Sequence, residues 1–163
     1  MAENDTQDQP IFSIEKLYIK DLSVEVPNAP QIFLERETPN VSIQLRSEGK
    51  QVEEGVHDVS LVVTVTATLK GEDDKDEKTL YLVEVNQSGI FQIRNVPQES
   101  LEPLLAVACP NILLPYAREA ISDAITRAGF QPVLLSPVNF EAVYQQNRQQ
   151  QAQSNTPAPS QVQ

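Results

Sequence analysis

At 163 residues with 40% hydrophobic side chains and a formal net charge of -11, the chain is sized for one domain with its own core and is too apolar to be disordered throughout. Its 23 acidic residues against 12 basic ones provide no clustered cationic surface, which argues against nucleic-acid binding and against docking on anionic lipid. A single cysteine, Cys109, rules out an internal disulfide framework and fits a reducing compartment.

Residues 1–10 are polar and read as a disordered N-terminus. They have no basic region followed by an apolar core, so they are not a secretory signal. No apolar run approaches the roughly 20 residues that span a bilayer, so a cytoplasmic chain without direct membrane insertion is expected. From Ile11 the pattern turns extended. Leu22, Val24 and Val26 share one parity and Asp21, Ser23 and Glu25 the other, which predicts a half-buried strand carrying two carboxylates on one face. Pro27 and Pro30 break it, because neither donates a backbone hydrogen bond. The stretch to about Asn40 is long for a hairpin link and contains Ile32 and Phe33.

A second strand is predicted where Val41, Ile43 and Leu45 alternate with Ser42, Gln44 and Arg46. A third runs from Val59 to Leu69 and is dense in β-branched residues. After the charged turn 71–78, a fourth strand starts at Thr79, with Tyr81, Val83 and Val85 on one side and Leu80, Leu82 and Glu84 on the other. Four antiparallel strands are expected. A strand apolar on both faces points to a sheet surface used for self-association, with Val83 and Val85 as its contacts.

Beyond Arg94 the period changes to that of a helix. Leu101, Leu104, Leu105 and Ala108 predict a short helix ended or kinked near Pro110. A second is predicted to start at Pro115 in its first turn, bury Ala117, Ala120, Ile121, Ala124 and Ile125, and end at Gly129. Residues 130–137 read as extended, and Asn139 as the cap of a last helix through Tyr144. The domain is therefore expected over 11–147, with a disordered tail over 148–163 that is too polar to offset its ordering entropy.

Little here supports an enzyme. His57 is the only histidine and reads as a solvated residue at a strand start. Cys109 has no basic neighbour in sequence to lower its pKa and reads as an inert packing residue. One Cys and one His do not make a zinc site, and the charged turn has neither phosphate-loop nor calcium-loop spacing. Asp21 and Glu25 stand about 13 Å apart along a strand, too far for paired-carboxylate chemistry. They read either as a solvated face or as an acidic docking surface. No cofactor is expected.

The segments Y-I-K-D-L-S-V-E-V-P-N-A-P (18–30) and C-P-N-I-L-L-P-Y-A-R-E (109–119) resemble the two most recognisable stretches of the SecB family. G-I-F-Q-I (89–93) and P-V-N-F (137–140) match further stretches in the same order. The resemblance covers about residues 11–147. It implies an α+β fold, a four-stranded antiparallel sheet with helices packed on one face, assembling as a homotetramer that is a dimer of dimers. It implies a holdase without catalysis, which keeps unfolded secretory precursors translocation-competent and delivers them to the SecA motor. By resemblance, the precursor groove maps onto Ile32, Phe33, Ile112, Leu113, Leu114 and Tyr116. The SecA-binding surface maps onto Asp21, Glu25, Leu82 and Glu84. Leu114 stands where many relatives carry Phe. The rival readings are a SecB-like chaperone of a toxin–antitoxin system and an oligomeric adaptor that binds no clients.

Overall fold

A computed structural model describes residues 9–71 and 76–154; the expectations for residues 1–8 and 155–163, and the middle of the charged turn, fall outside the described residues. The strands are β1 (Ile11–Glu25), β2 (Asn40–Glu53), β3 (Val56–Leu69) and β4 (Lys78–Arg94), all longer than their strictly alternating cores. They form one antiparallel sheet in the order β1-β4-β3-β2. β1 therefore crosses over to pair with β4 while β2, β3 and β4 follow as hairpins. The β2–β3 turn needs Gly55 at φ 72°, a left-handed conformation in which a Cβ would also meet the Arg94 side chain at 2.7 Å.

The register sorts the side chains. Val59, Leu61, Val63, Val65 and Ala67 of β3 share a face with Val83, Val85 and Phe91 of β4, with Leu22 and Val24 of β1, and with Val41 and Ile43 of β2. Helix α2 (Cys109–Arg127) lies on this face and buries Leu113, Ala117, Ile121, Ala124 and Ile125, the i, i+4, i+8 stripe of an amphipathic helix. Each large aliphatic side chain buried there stabilises by about 1.5–3 kcal/mol. At the start of β4 the register slips so that Thr68 opposes Thr79. The extra residue, Leu80, thereby joins the core.

The helical region departs from expectation in three ways. Helix α1 (Gln98–Pro103), a π-helical segment Leu104–Ala108 and α2 form one continuous stretch rather than two separated helices. The irregularity near Pro110 is a widened turn, in which the Cys109 N–H bonds the carbonyl of Leu104. A proline ring crowds the carbonyl four residues back, and a wider turn relieves that clash without ending the helix. Pro115 lies inside α2, not at its start. The 30-residue stretch Gln98–Arg127 is long and apolar enough to cross a bilayer by length and composition, contrary to the expectation above; its apolar side is spent on the sheet.

The last helix, α3 (Phe140–Ser154), starts at the expected cap, with Asn139 Oδ1 accepting from the Ala142 N–H at 3.0 Å. It then runs ten residues past Tyr144, so the expected boundary between domain and tail at 147/148 falls within a helix. Glutamine is a good helix former, and Gln145 donates to Glu141 one turn back at 3.1 Å.

His57 is not solvated. It faces the covered side opposite Phe91 and Gln51, is 5% exposed, and its Nδ1 has no hydrogen-bond partner among the described residues. Burial pushes its pKa below the usual value because the charged ring loses hydration. The folded chain thus disfavours the proton that the unfolded chain accepts near pH ~6.5. This contribution to stability is complete above that pH and is lost as pH falls through the lowered folded pKa. Urea unfolding midpoints should decline on going from pH 7 to pH 5 in the wild type, and less steeply in His57→Phe. Equal slopes would show that other groups carry the effect.

Candidate binding surfaces

The uncovered sheet face is polar. Ser23 of β1 pairs with Glu84, Glu25 with Leu82 and Asp21 with Asn86, so Asp21, Glu25, Leu82 and Glu84 stand together on this face. Asp21 and Glu25 are exposed; Leu82 and Glu84 are half-buried. Glu84 is fixed by Thr64 of β3, whose hydroxyl donates to Oε2 at 2.7 Å. The four residues form a surface with an apolar spot and three carboxylates, which suits a cationic partner segment.

Beside them lies a denser network. Tyr18 Oη donates to Asp58 Oδ1 at 2.8 Å, and Lys20 Nζ donates to Asp58 Oδ2 at 2.6 Å and to Ser60 Oγ at 3.2 Å. The Ser60 and Ser88 hydroxyls meet at 2.8 Å, and Ser88 donates to Asn86 Oδ1 at 3.0 Å. Its hydrogen bond to Asp58 raises the Lys20 pKa, and partial burial followed by Asp58 raises that of Tyr18.

The second surface lies on the helical side. After β1, Gln31–Leu34 forms a 3₁₀ turn that buries Ile32 and leaves Phe33 45% exposed. After α2, Gly129 at φ 96° ends the helix and lets the chain return as an extended segment. The Phe33 ring lies 3.0 Å from where a Cβ of residue 129 would sit, so glycine permits this approach as well as the backbone turn. Phe33 stacks on Phe130 at 5.1 Å between centroids, and Phe130 tilts against Tyr81 at 4.9 Å. Together with Val41, Leu80 and Val133 they line an open cleft of about 670 Å³, which the carboxylates Glu35 and Glu37 also border.

The expected groove residues divide. Ile32 and Phe33 line this cleft, while Ile112, Leu113, Leu114 and Tyr116 do not. Leu113 and Leu114 are buried within the subunit, Ile112 is half-buried against the core, and Tyr116 stands 48% exposed on α2. The counterparts of the loop are Phe130 and Val133, in a segment whose sequence has no periodicity to reveal them.

The expected self-association contacts are also corrected. Val83 and Val85 are 0% exposed beneath α2, since the helix takes the face they occupy. On the same side, the subunit leaves apolar side chains bare at the sheet edges, among them Ile14, Ile19, Leu22 and Val24 of β1 and Val41 and Ile43 of β2. Cys109 is buried, and loss of hydration pushes its thiol up to about 12, so it stays protonated.

A sequence-family model described as "Preprotein translocase subunit SecB" matches residues 5–151. Among curated proteins, the chain is 63% identical over 154 residues to the protein-export protein SecB of Dechloromonas aromatica, covering 94% of this chain and 97% of that protein. It is 65% identical over 140 residues to the SecB of an Azoarcus species, covering 86% and 89% respectively. Among solved structures, a SecB-like chaperone of Mycobacterium tuberculosis, in complex with a ChAD peptide from an antitoxin, superposes with a TM-score of 0.57 at 14% identity. That match covers 78% of this chain and 91% of the other, and shows a shared fold.

Proposed function

The chain belongs to the SecB family of protein-export chaperones, and from that premise we propose that it works as a holdase in the cytoplasm, taking unfolded precursors in the Phe33–Phe130 cleft and passing them to SecA across the acidic sheet face. The observation that carries this reading is the cleft itself. A half-exposed aromatic ring stands on a second one beside aliphatic walls, in an open trough. Such a surface accepts many apolar segments weakly and demands no single shape. Unfolded chains offer such segments and folded ones hide them, so selection follows folding state.

A homotetramer, a dimer of dimers, fits the bare apolar strip along β1, because Ile14, Ile19, Leu22 and Val24 stand exposed on one subunit and would gain burial against another. Several clefts on one assembly would engage a long precursor at once and raise avidity by about 10²–10⁴ through effective concentration. The acidic patch occupies the opposite face of the sheet, so SecA docks there without competing directly for the cleft.

Suppression of aggregation of a slow-folding precursor tests the holdase reading. Replacing Phe130 with Ala should weaken precursor binding about fivefold, the equivalent of one lost aromatic contact. SecA binding should be unchanged. A variant that protects the precursor as well as the wild type would move the binding site off this cleft.

A further inference from the structure

In a regular strand, Lys20 and Asp21 would point to opposite faces. The register of β1 against β4 shifts between Ile19 and Asp21, however, and the extra residue at this bulge turns both side chains to the outer face. An ammonium is thereby placed next to a carboxylate of the acidic patch, where ion pairing within β1 would cancel one of its charges. The ammonium is instead drawn away from β1, across β4 to β3, where Asp58 and Ser60 hold it. Asp58 is well placed for this. Its carboxylate is largely covered, with 16% side-chain exposure, and its other oxygen is occupied by Tyr18, so the acceptor is fixed in position. The other cations of this face lie further off: Lys16 opposite Ile90, Arg94 opposite Ile11 at the far end of β4, and Arg46 and Lys50 on β2, two strands beyond β4.

We propose that Asp58 is a positioning residue for the acidic docking surface, which withholds Lys20 from Asp21 and so keeps the patch charged toward a cationic partner. The inference rests on the reading of Asp21, Glu25 and Glu84 as the SecA contact, and it adds a residue outside that contact that sets its effective charge.

The test is titration of SecA against the full-length chain at low and at physiological salt. Asp58→Asn should weaken binding about fivefold at low salt, because a freed ammonium beside Asp21 offsets about one contact charge, and the loss should shrink as salt rises. Asp58→Asn combined with Lys20→Gln restores the net charge and should return affinity to near wild type. Glu48→Gln, on the same face but on β2, changes net charge equally without freeing Lys20 and should have a much smaller effect. Lys20→Gln alone, a change at a partly exposed side chain that leaves the core intact, should not weaken binding. The proposal is overturned if Asp58→Asn is no weaker than Glu48→Gln, if the double variant stays as weak as Asp58→Asn, or if Lys20→Gln alone loses affinity. Reversal of Asp21 and Glu25 separates the two levels. If that reversal also leaves SecA binding intact, the docking reading fails together with this one; if it weakens binding while Asp58→Asn does not, only the role of Asp58 fails.

Discussion

Reversing Asp21 and Glu25 together to lysine is expected to lower SecA affinity by between about tenfold and a hundredfold at low salt, since each reversed contact charge changes the interaction by roughly 1 kcal/mol or more. Both side chains are exposed on one strand, on either side of the row where Ser23 meets Glu84. Neither makes an ion pair within the described residues, so their replacement breaks no internal interaction of that kind. Most of the loss should fall on the association rate and fade with added salt, because exposed charges act over about a Debye length, roughly 8 Å at physiological ionic strength. Precursor binding should hold, because the cleft lies on the other side of the sheet. Calorimetric titration of SecA, with light scattering to confirm the assembly, measures both parts. Unchanged affinity in an intact assembly would remove the acidic face from the docking account.

How far the sequence could be read depended on the kind of order each segment carries. β1 shows the gain and the limit. Phe12 and Ile14 have even numbers, Leu17 and Ile19 odd ones, and Leu22, Val24 and Val26 even ones again. Each change of parity marks one extra residue, and the register slips between Ile14 and Lys16 and between Ile19 and Asp21. The strand predicted above rests on the last of the three phases alone, although the bulges are written in the pattern. The grouping of Asp21 and Glu25 with Glu84 and Leu82 came from resemblance, and the pairing of β1 with β4 rather than β2 gives it a geometric basis.

Other features were illegible for physical reasons. Phe130 and Val133 meet Phe33 and Tyr81 only through contacts distant in sequence, and an aperiodic extended segment gives no local sign of what it will face. Leu113 and Leu114 are neighbours about 100° apart on a helix. Nearness to a groove in the chain did not settle which of them would be buried, and both are. The expected tail is helical over 148–154 because a glutamine-rich run has low burial but adequate helix propensity, and a capped helix continues on propensity for a few turns.

Val85→Asp is expected to unfold the subunit rather than to split an assembly. Val85 is 0% exposed, opposes Leu22 on one side and Val63 on the other, and lies under α2. A carboxylate there would lose its hydration with no cation beside it. Taking up a proton to become neutral would still leave a buried polar group and a lost methyl contact, and the combined penalty is about 3–5 kcal/mol or more. Native domains are stable by only about 5–15 kcal/mol, so such a change removes much or all of the margin. The preceding residue provides the contrast. Glu84→Gln, on the outer face, should leave the thermal midpoint within a few degrees, since its partner Thr64 can donate to the amide oxygen as well. The expected result for Val85→Asp is insoluble protein, or soluble protein with a collapsed circular-dichroism transition. The alternative, in which Val85 is a contact between subunits, makes the opposite forecast. A well-folded monomer of about 18 kDa in gel filtration, with a cooperative melt near that of the wild type, would return this strand to the interface.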